Sequence, residues 1–158
     1  MISLATIPAF IVSVDSTIAN VKDVMERTGA DGIQPHGLHA LDVVSLADEL
    51  GWKALLPIPV DSTGPTLGRD VVPTGVLPLF DTSVSGFHGG TGATFDWALL
   101  AEVHQPFVLA GGLGPDNVAE AVAVIRPFGV DASSRLEVAP GIKDPDSIRA
   151  FIKEAKSA

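Results

Sequence analysis

The sequence predicts a parallel α/β fold of the βα-barrel type. Short β-rich apolar runs alternate with amphipathic helical stretches, several of those runs end in a polar or glycine-rich turn, and no composition shift or repeat marks a second domain. The densest stretch runs from Leu77 to Gly112. There LPLFDT brings Asp81 to the end of an apolar run, GGTG follows at Gly89 to Gly92, FDW at Phe95 to Trp97, and FVLAGGL opens into Gly111-Gly112. Together these describe one βαβ unit with two polar strand ends, and chemistry in parallel barrels and doubly wound sheets collects at such ends.

In chain order, Ala9 to Val14 is the first strand candidate. Ser16 or Thr17 can cap a helix in which Ile18, Val21, Val24 and Met25 recur at helical spacing until Gly29 stops it. Gly32 to Gln34 is a brief second strand. Leu41, Val44, Leu46, Ala47 and Leu50 mark a second helix closed by Gly51, and Ala54 to Ile58 is a third apolar run. From Pro59 to Gly75 the prolines and glycines leave room for a turn or two. The alternation resumes with strand Val76 to Phe80, helix Phe95 to Val103, strand Phe107 to Ala110, helix Asp116 to Ile125, strand Gly129 to Asp131 and helix Asp144 to Lys156. Pro145 falls in a first helical turn, where a missing N–H is harmless. Six strands with about five crossovers result.

Composition narrows the function classes. With 158 residues, 46% hydrophobic and 18% charged, the chain reads as one domain, residues 1–158, with a core of its own. A net charge of −9 argues against a nucleic-acid or anionic-membrane partner, because both need clustered positive charge. An anionic ligand must then be held locally, by backbone N–H groups or a few placed cations. With Cys 0 there is no disulfide, thiolate metal site or cysteine nucleophile. Met1 to Val14 has no basic residue, is broken by Pro8 and is too short to span a bilayer, so a cytoplasmic location is expected.

Each polar feature has an ordinary reading beside the functional one. Asp81 is either a turn cap or an acid at a strand end. Gly111-Gly112, just before a helix that begins near Pro115, allows close backbone approach and brings helix N-terminal N–H groups to where a phosphate can sit. Asp131-Ala132-Ser133-Ser134, after the last strand, offers hydroxyls and amides in the same way. Two such turns after consecutive strands form the phosphate site of a βα barrel. His36 follows a strand, where a surface-loop histidine is equally ordinary. His39, His88 and His104 form no metal-ligand spacing, and neither a metal nor a cofactor is expected.

These motifs, in order and colinear from about Ala9 onward, resemble the phosphoribosylanthranilate isomerase family, βα-barrel enzymes of tryptophan biosynthesis. Gly32-Ile33-Gln34-Pro35-His36-Gly37 is similar to the family's VQLHG strand end and Leu77 to Thr82 to its LLLDT strand. Gly89 to Trp97 matches GGTG followed by TFDW, Leu109 to Asn117 matches LAGGLxPxNV, and Val130 to Glu137 is similar to VDVSSGVE. Pro140 to Asp144 resembles PGVKD.

The resemblance implies an Amadori rearrangement of N-(5-phosphoribosyl)anthranilate, an aminoaldose, to an aminoketose. An acid protonates the ribose ring oxygen, the ring opens to a Schiff base, and a base takes the proton from the adjacent carbon. Asp81 falls on the acid, whose pKa burial must raise for it to hold a proton at neutral pH. Gly111, Gly112, Ser133 and Ser134 fall on the phosphate-binding positions. Gln34, His36 and Asp131 fall on strand ends that face a small sugar-phosphate substrate.

The chain departs from the family pattern in three places. The KICG strand, whose cysteine is the family's base, and the next βα unit would precede Met1, so the expectation is an incomplete barrel of about six βα units. Arg135 replaces the glycine of SSG, where it adds a charge-assisted bond or blocks the site. The segment from Pro59 to Gly75 replaces a helix. Two alternatives therefore stand beside the isomerase: a non-catalytic phosphate-binding or assembly remnant, and another sugar-phosphate isomerase or epimerase whose base is His36, Asp15 or Asp131. Open sheet edges imply a homo-oligomer or a complementing N-terminal fragment.

Overall fold

The computed structural model describes residues 7–68, 71–82 and 94–158. The glycine run at residues 89–92 and His88 lie outside the described residues. The chain divides into two compact units, residues 1–57 with 68–78, and residues 58–67 with 79–158.

In the first unit, β1 (Phe10–Val14) pairs in parallel with β2 (Gly32–His36) over its full length. Strand β2 pairs with β3 (Lys53–Asp61), again in parallel, at Gly32↔Lys53 and Ile33↔Ala54. Helix α1 (Ile18–Thr28) starts where the Thr17 side chain accepts from the Asn20 N–H, and α2 (Ala40–Leu50) follows β2. Both helices stop at a glycine in the left-handed region, Gly29 and Gly51, which carries no Cβ penalty there. Val21 and Met25 of α1, Val43 and Ala47 of α2 and Ile33 of β2 form the buried cluster. Burying a side chain of this size contributes about 1.5–3 kcal/mol, which is what holds an eleven-residue helix that would be marginal alone.

The second unit repeats the design. Strand β5 (Leu77–Thr82), which crosses from one unit to the other, pairs in parallel with β6 (Val108–Leu109) at Leu79↔Val108 and Phe80↔Leu109. Strand β6 pairs with β7 (Gly129–Val130). Helix α3 (Val118–Ile125) covers one crossover and α4 (Pro145–Ser157) packs against it. The Asp144 side chain caps α4 by accepting from the Asp146 N–H, with Pro145 in the first turn. Leu79, Phe80, Leu109, Leu113 and Val118 are buried, and the Phe80 and Phe107 rings meet edge to face at 5.3 Å.

The predicted rhythm holds, with four differences. Strand β3 runs through two prolines to Asp61, where it turns back through the two-residue β4 (Gly64–Pro65) in an antiparallel pairing. In place of a helix over Phe95 to Val103 there is a short 3-10 helix, Trp97–Leu100. The Asp96 side chain caps it, and the N–H groups of Ala101 and Val103 donate to carbonyls three residues back, so the tighter winding persists to its end. Helix α3 begins at Val118 rather than Asp116, because Gly114, Asp116 and Asn117 are engaged in a side-chain-braced turn. Beyond β7, a 3-10 turn (Ser134–Leu136) leads into a hairpin of β8 (Glu137–Ala139) and β9 (Ile142–Lys143). Among the described residues no helix is long and apolar enough to cross a membrane.

Candidate functional site

In the second unit, Asp81 stands next to last in β5, after the buried Leu79 and Phe80. Its Oδ1 accepts from the Thr82 N–H at 2.8 Å. Burial raises its pKa above the ordinary carboxylate range, and the Thr82 hydrogen bond opposes that rise without cancelling it. The turn after β6 lies directly against this strand end. A Cβ on Gly111 would come 2.7 Å from the Thr82 nitrogen and 3.0 Å from Asp81 Oδ1, and the residue has φ +89. Both facts demand glycine.

From Gly111 the turn is braced by side chains. The Gly112 carbonyl accepts from Asn117 Nδ2 at 3.1 Å and from Arg135 Nη1 at 3.0 Å, while Asn117 Oδ1 accepts from the Gly114 N–H at 2.8 Å. Arg135 Nη2 also spans both Asp116 carboxylate oxygens, at 2.8 and 2.7 Å. That bond holds the Asp116 carboxyl below its usual range. Nearby, Lys143 in the β8–β9 hairpin donates to the Ser133 carbonyl at 3.0 Å, to Ser133 Oγ at 3.2 Å and to Glu137 at 2.7 Å. Asp131 anchors the start of this turn by donating its N–H to the Leu109 carbonyl at 2.8 Å.

The structure thus brings Asp81, Gly111, Gly112, Asp131, Ser133 and Ser134 to the ends of β5, β6 and β7 within one unit. Gln34 and His36 belong to the other unit, at the end of β2. There Gln34 Nε2 and His36 Nε2 lie 3.0 Å apart; the amide nitrogen only donates, so the ring nitrogen accepts. Asp15, with φ 48, takes the Leu38 N–H on its Oδ1 at 2.9 Å and closes the turn after β2. A cavity of about 390 Å³ in the second unit is lined by Val60, Asp61, Ser62, Thr82, Thr94, Phe95, Asp96 and Leu99. It adjoins the residue that follows Asp81.

Sequence reasoning missed Asp116, Asn117 and Lys143 as supports for these turns. Asparagine three residues after a glycine at a helix start was the legible signal, since its side chain can take a turn N–H. The salt bridges of Arg135 and Lys143 depend on tertiary approach and left no local mark.

The family model described as N-(5'phosphoribosyl)anthranilate (PRA) isomerase matches residues 5–154. The chain belongs to the N-(5'-phosphoribosyl)anthranilate isomerase family. Relatives named N-(5'-phosphoribosyl)anthranilate isomerase include one from Haloferax volcanii, 39% identical over 94% of this chain and 68% of that protein. Another, from Pseudomonas fluorescens, is 35% identical over 97% of this chain and 76% of that protein. The phosphoribosylanthranilate isomerase structure from Thermotoga maritima superposes with a TM-score of 0.81 at 31% identity, covering 99% of this chain and 77% of that one. A further family structure holds reduced 1-(o-carboxyphenylamino)-1-deoxyribulose 5-phosphate; it superposes at 0.75 with 28% identity, over 99% of this chain and 76% of that one. The parallel βα architecture is therefore that of this isomerase family.

Proposed function

We propose that this chain acts as a phosphoribosylanthranilate isomerase of tryptophan biosynthesis, opening and rearranging N-(5'-phosphoribosyl)anthranilate. The observation that carries the reading is Asp81: a carboxyl at a strand end, its pKa raised by burial, against a diglycine turn. Burial lets this carboxyl hold its proton to a higher pH than an exposed one would, and the acid delivers that proton to the ribose ring oxygen. The Gly111-Gly112 and Ser133-Ser134 turns hold the phosphate through N–H groups and hydroxyls, which fixes the sugar relative to Asp81. Asp131, in the same unit, contacts the substrate. The cavity beside Thr82, with Phe95 and Leu99 in its wall, has room for the aromatic ring.

The second half of the reaction needs a base to take the proton from the carbon next to the Schiff base. The chain contains no cysteine, so the base the family resemblance implies is not among its residues. On this reading a complementing N-terminal segment supplies it. The test is decay of substrate fluorescence with this chain alone, with such a segment added, and with Asp81→Asn. Restoration by the segment and loss in Asp81→Asn support the assignment. Full turnover by the isolated chain would instead make His36→Ala the decisive variant, and phosphate binding with no turnover under any condition would leave a binding module.

A further inference from the structure

We infer that Arg135 is a positioning residue that cross-links the two turns assigned above to phosphate, an inference that rests on that assignment for its ligand but not for its geometry. Arg135 leaves the turn after β7 and reaches the turn after β6, 23 residues away from Gly112 in sequence. Its guanidinium lies over Gly114, where a Cβ would stand 3.1 Å from Nε and 3.2 Å from Cζ. A Cβ there would press on the guanidinium, which sits closer than side chains ordinarily pack. From that position one terminal nitrogen bonds the Gly112 carbonyl and the other bonds Asp116.

The consequence is a fixed peptide. With Arg135 and Asn117 both donating to the Gly112 carbonyl, its two lone pairs are filled and its direction is set. Because the peptide is trans, the Leu113 N–H points the opposite way. The Gly114 N–H is already held by Asn117. A glycine-rich turn, otherwise costly to order around a ligand, is thereby ordered in advance. Asp116 offsets the cation, so the arginine works as a brace rather than as a free positive charge.

Amide hydrogen exchange of the unliganded chain tests the brace first. In Arg135→Ala the amides of Leu113, Gly114, Asp116 and Asn117 should exchange about tenfold faster or more, with Ala121 in α3 unchanged, and Arg135→Lys should fall between because it lacks the fork. Equal exchange in all three proteins would overturn the proposal. Calorimetry with inorganic phosphate then separates bracing from direct contact. Arg135→Ala and Asp116→Ala should each weaken binding about tenfold, and the double variant no further, as for two parts of one device. Tighter binding in Asp116→Ala would mean that Arg135 contacts the anion itself, and would sink the bracing role. Faster exchange in Arg135→Ala with no phosphate binding by the unaltered chain would remove the ligand assignment and leave the brace standing.

Discussion

Two carboxylates in the second unit receive opposite treatment. Asp81 is carried by a strand into a half-buried position where desolvation raises its pKa. Asp116 sits in an exposed turn, where Arg135 lowers it. The first is thereby kept able to hold a proton and the second is kept charged. Under the proposed role the strand end serves the reaction and the turn its own rigidity, and the difference lies in burial and partner rather than in residue type.

The largest effect that would break this contrast is Asp81→Asn. It should lower turnover by about 10²–10⁴-fold, as loss of a positioned acid does. The same change should raise thermal stability near neutral pH, because a half-buried group no longer has to ionise. The linkage has a definite sign: with its folded pKa raised, Asp81 favours the native state below its unfolded pKa and loses that contribution as pH rises through the folded value. Melting temperatures measured across pH 3–8 should therefore decline less steeply toward high pH in the variant than in the parent. Loss of both activity and stability would mean that Asp81 is a structural cap.

Turnover should also follow that proton. The rate should fall as pH rises through the folded pKa of Asp81, and a pH–rate profile with no alkaline limb would remove the acid assignment.

Gly111→Ala should cost about 2 kcal/mol or more, from a positive φ and a clash with the backbone of Thr82. Denaturant unfolding reads it directly. Asn117→Ala should cost less, about 1–2 kcal/mol, because it leaves the Gly114 N–H without its acceptor. The smallest effect sharpens the other side of the contrast. The Asp116–Arg135 contribution should be fully present above the usual carboxylate pKa and disappear as pH falls through the depressed one. In Asp116→Ala, stability should thus lose part of its acid dependence while the neutral-pH rate changes little next to Asp81→Asn.

Much of this was legible in the sequence for a physical reason. Period-2 and period-3.6 patterns are local, and so are caps: Thr17, Gly29, Gly51 and Asp144 all mark helix ends where side-chain or glycine chemistry requires them. Asp81 was readable because an apolar run ended on it. The 3-10 helix at Trp97–Leu100 was not, since its apolar spacing also suits an α-helix and the choice of winding is made by capping and packing. The β8–β9 hairpin was hidden by brevity, with two and three residues per strand around Pro140-Gly141. Arg135 was visible as an oddity whose role only its partners 19 and 23 residues away could define.

The prolines in the strands carry a separate lesson. Pro35 in β2 and Pro57 and Pro59 in β3 have no N–H to give, and the β2–β3 ladder stops at Ile33↔Ala54 although both strands continue. The two strands are therefore zipped at their beginnings and unlatched toward the ends where Gln34 and His36 sit. At its end β2 is held by the β1 ladder alone, which runs to Val14↔His36, whereas at Gly32 it is held by the ladders to both β1 and β3. The start of β2 is thus anchored from two sides and its end from one, so a load on the sheet parts the β2–β3 seam from the end that carries Gln34 and His36.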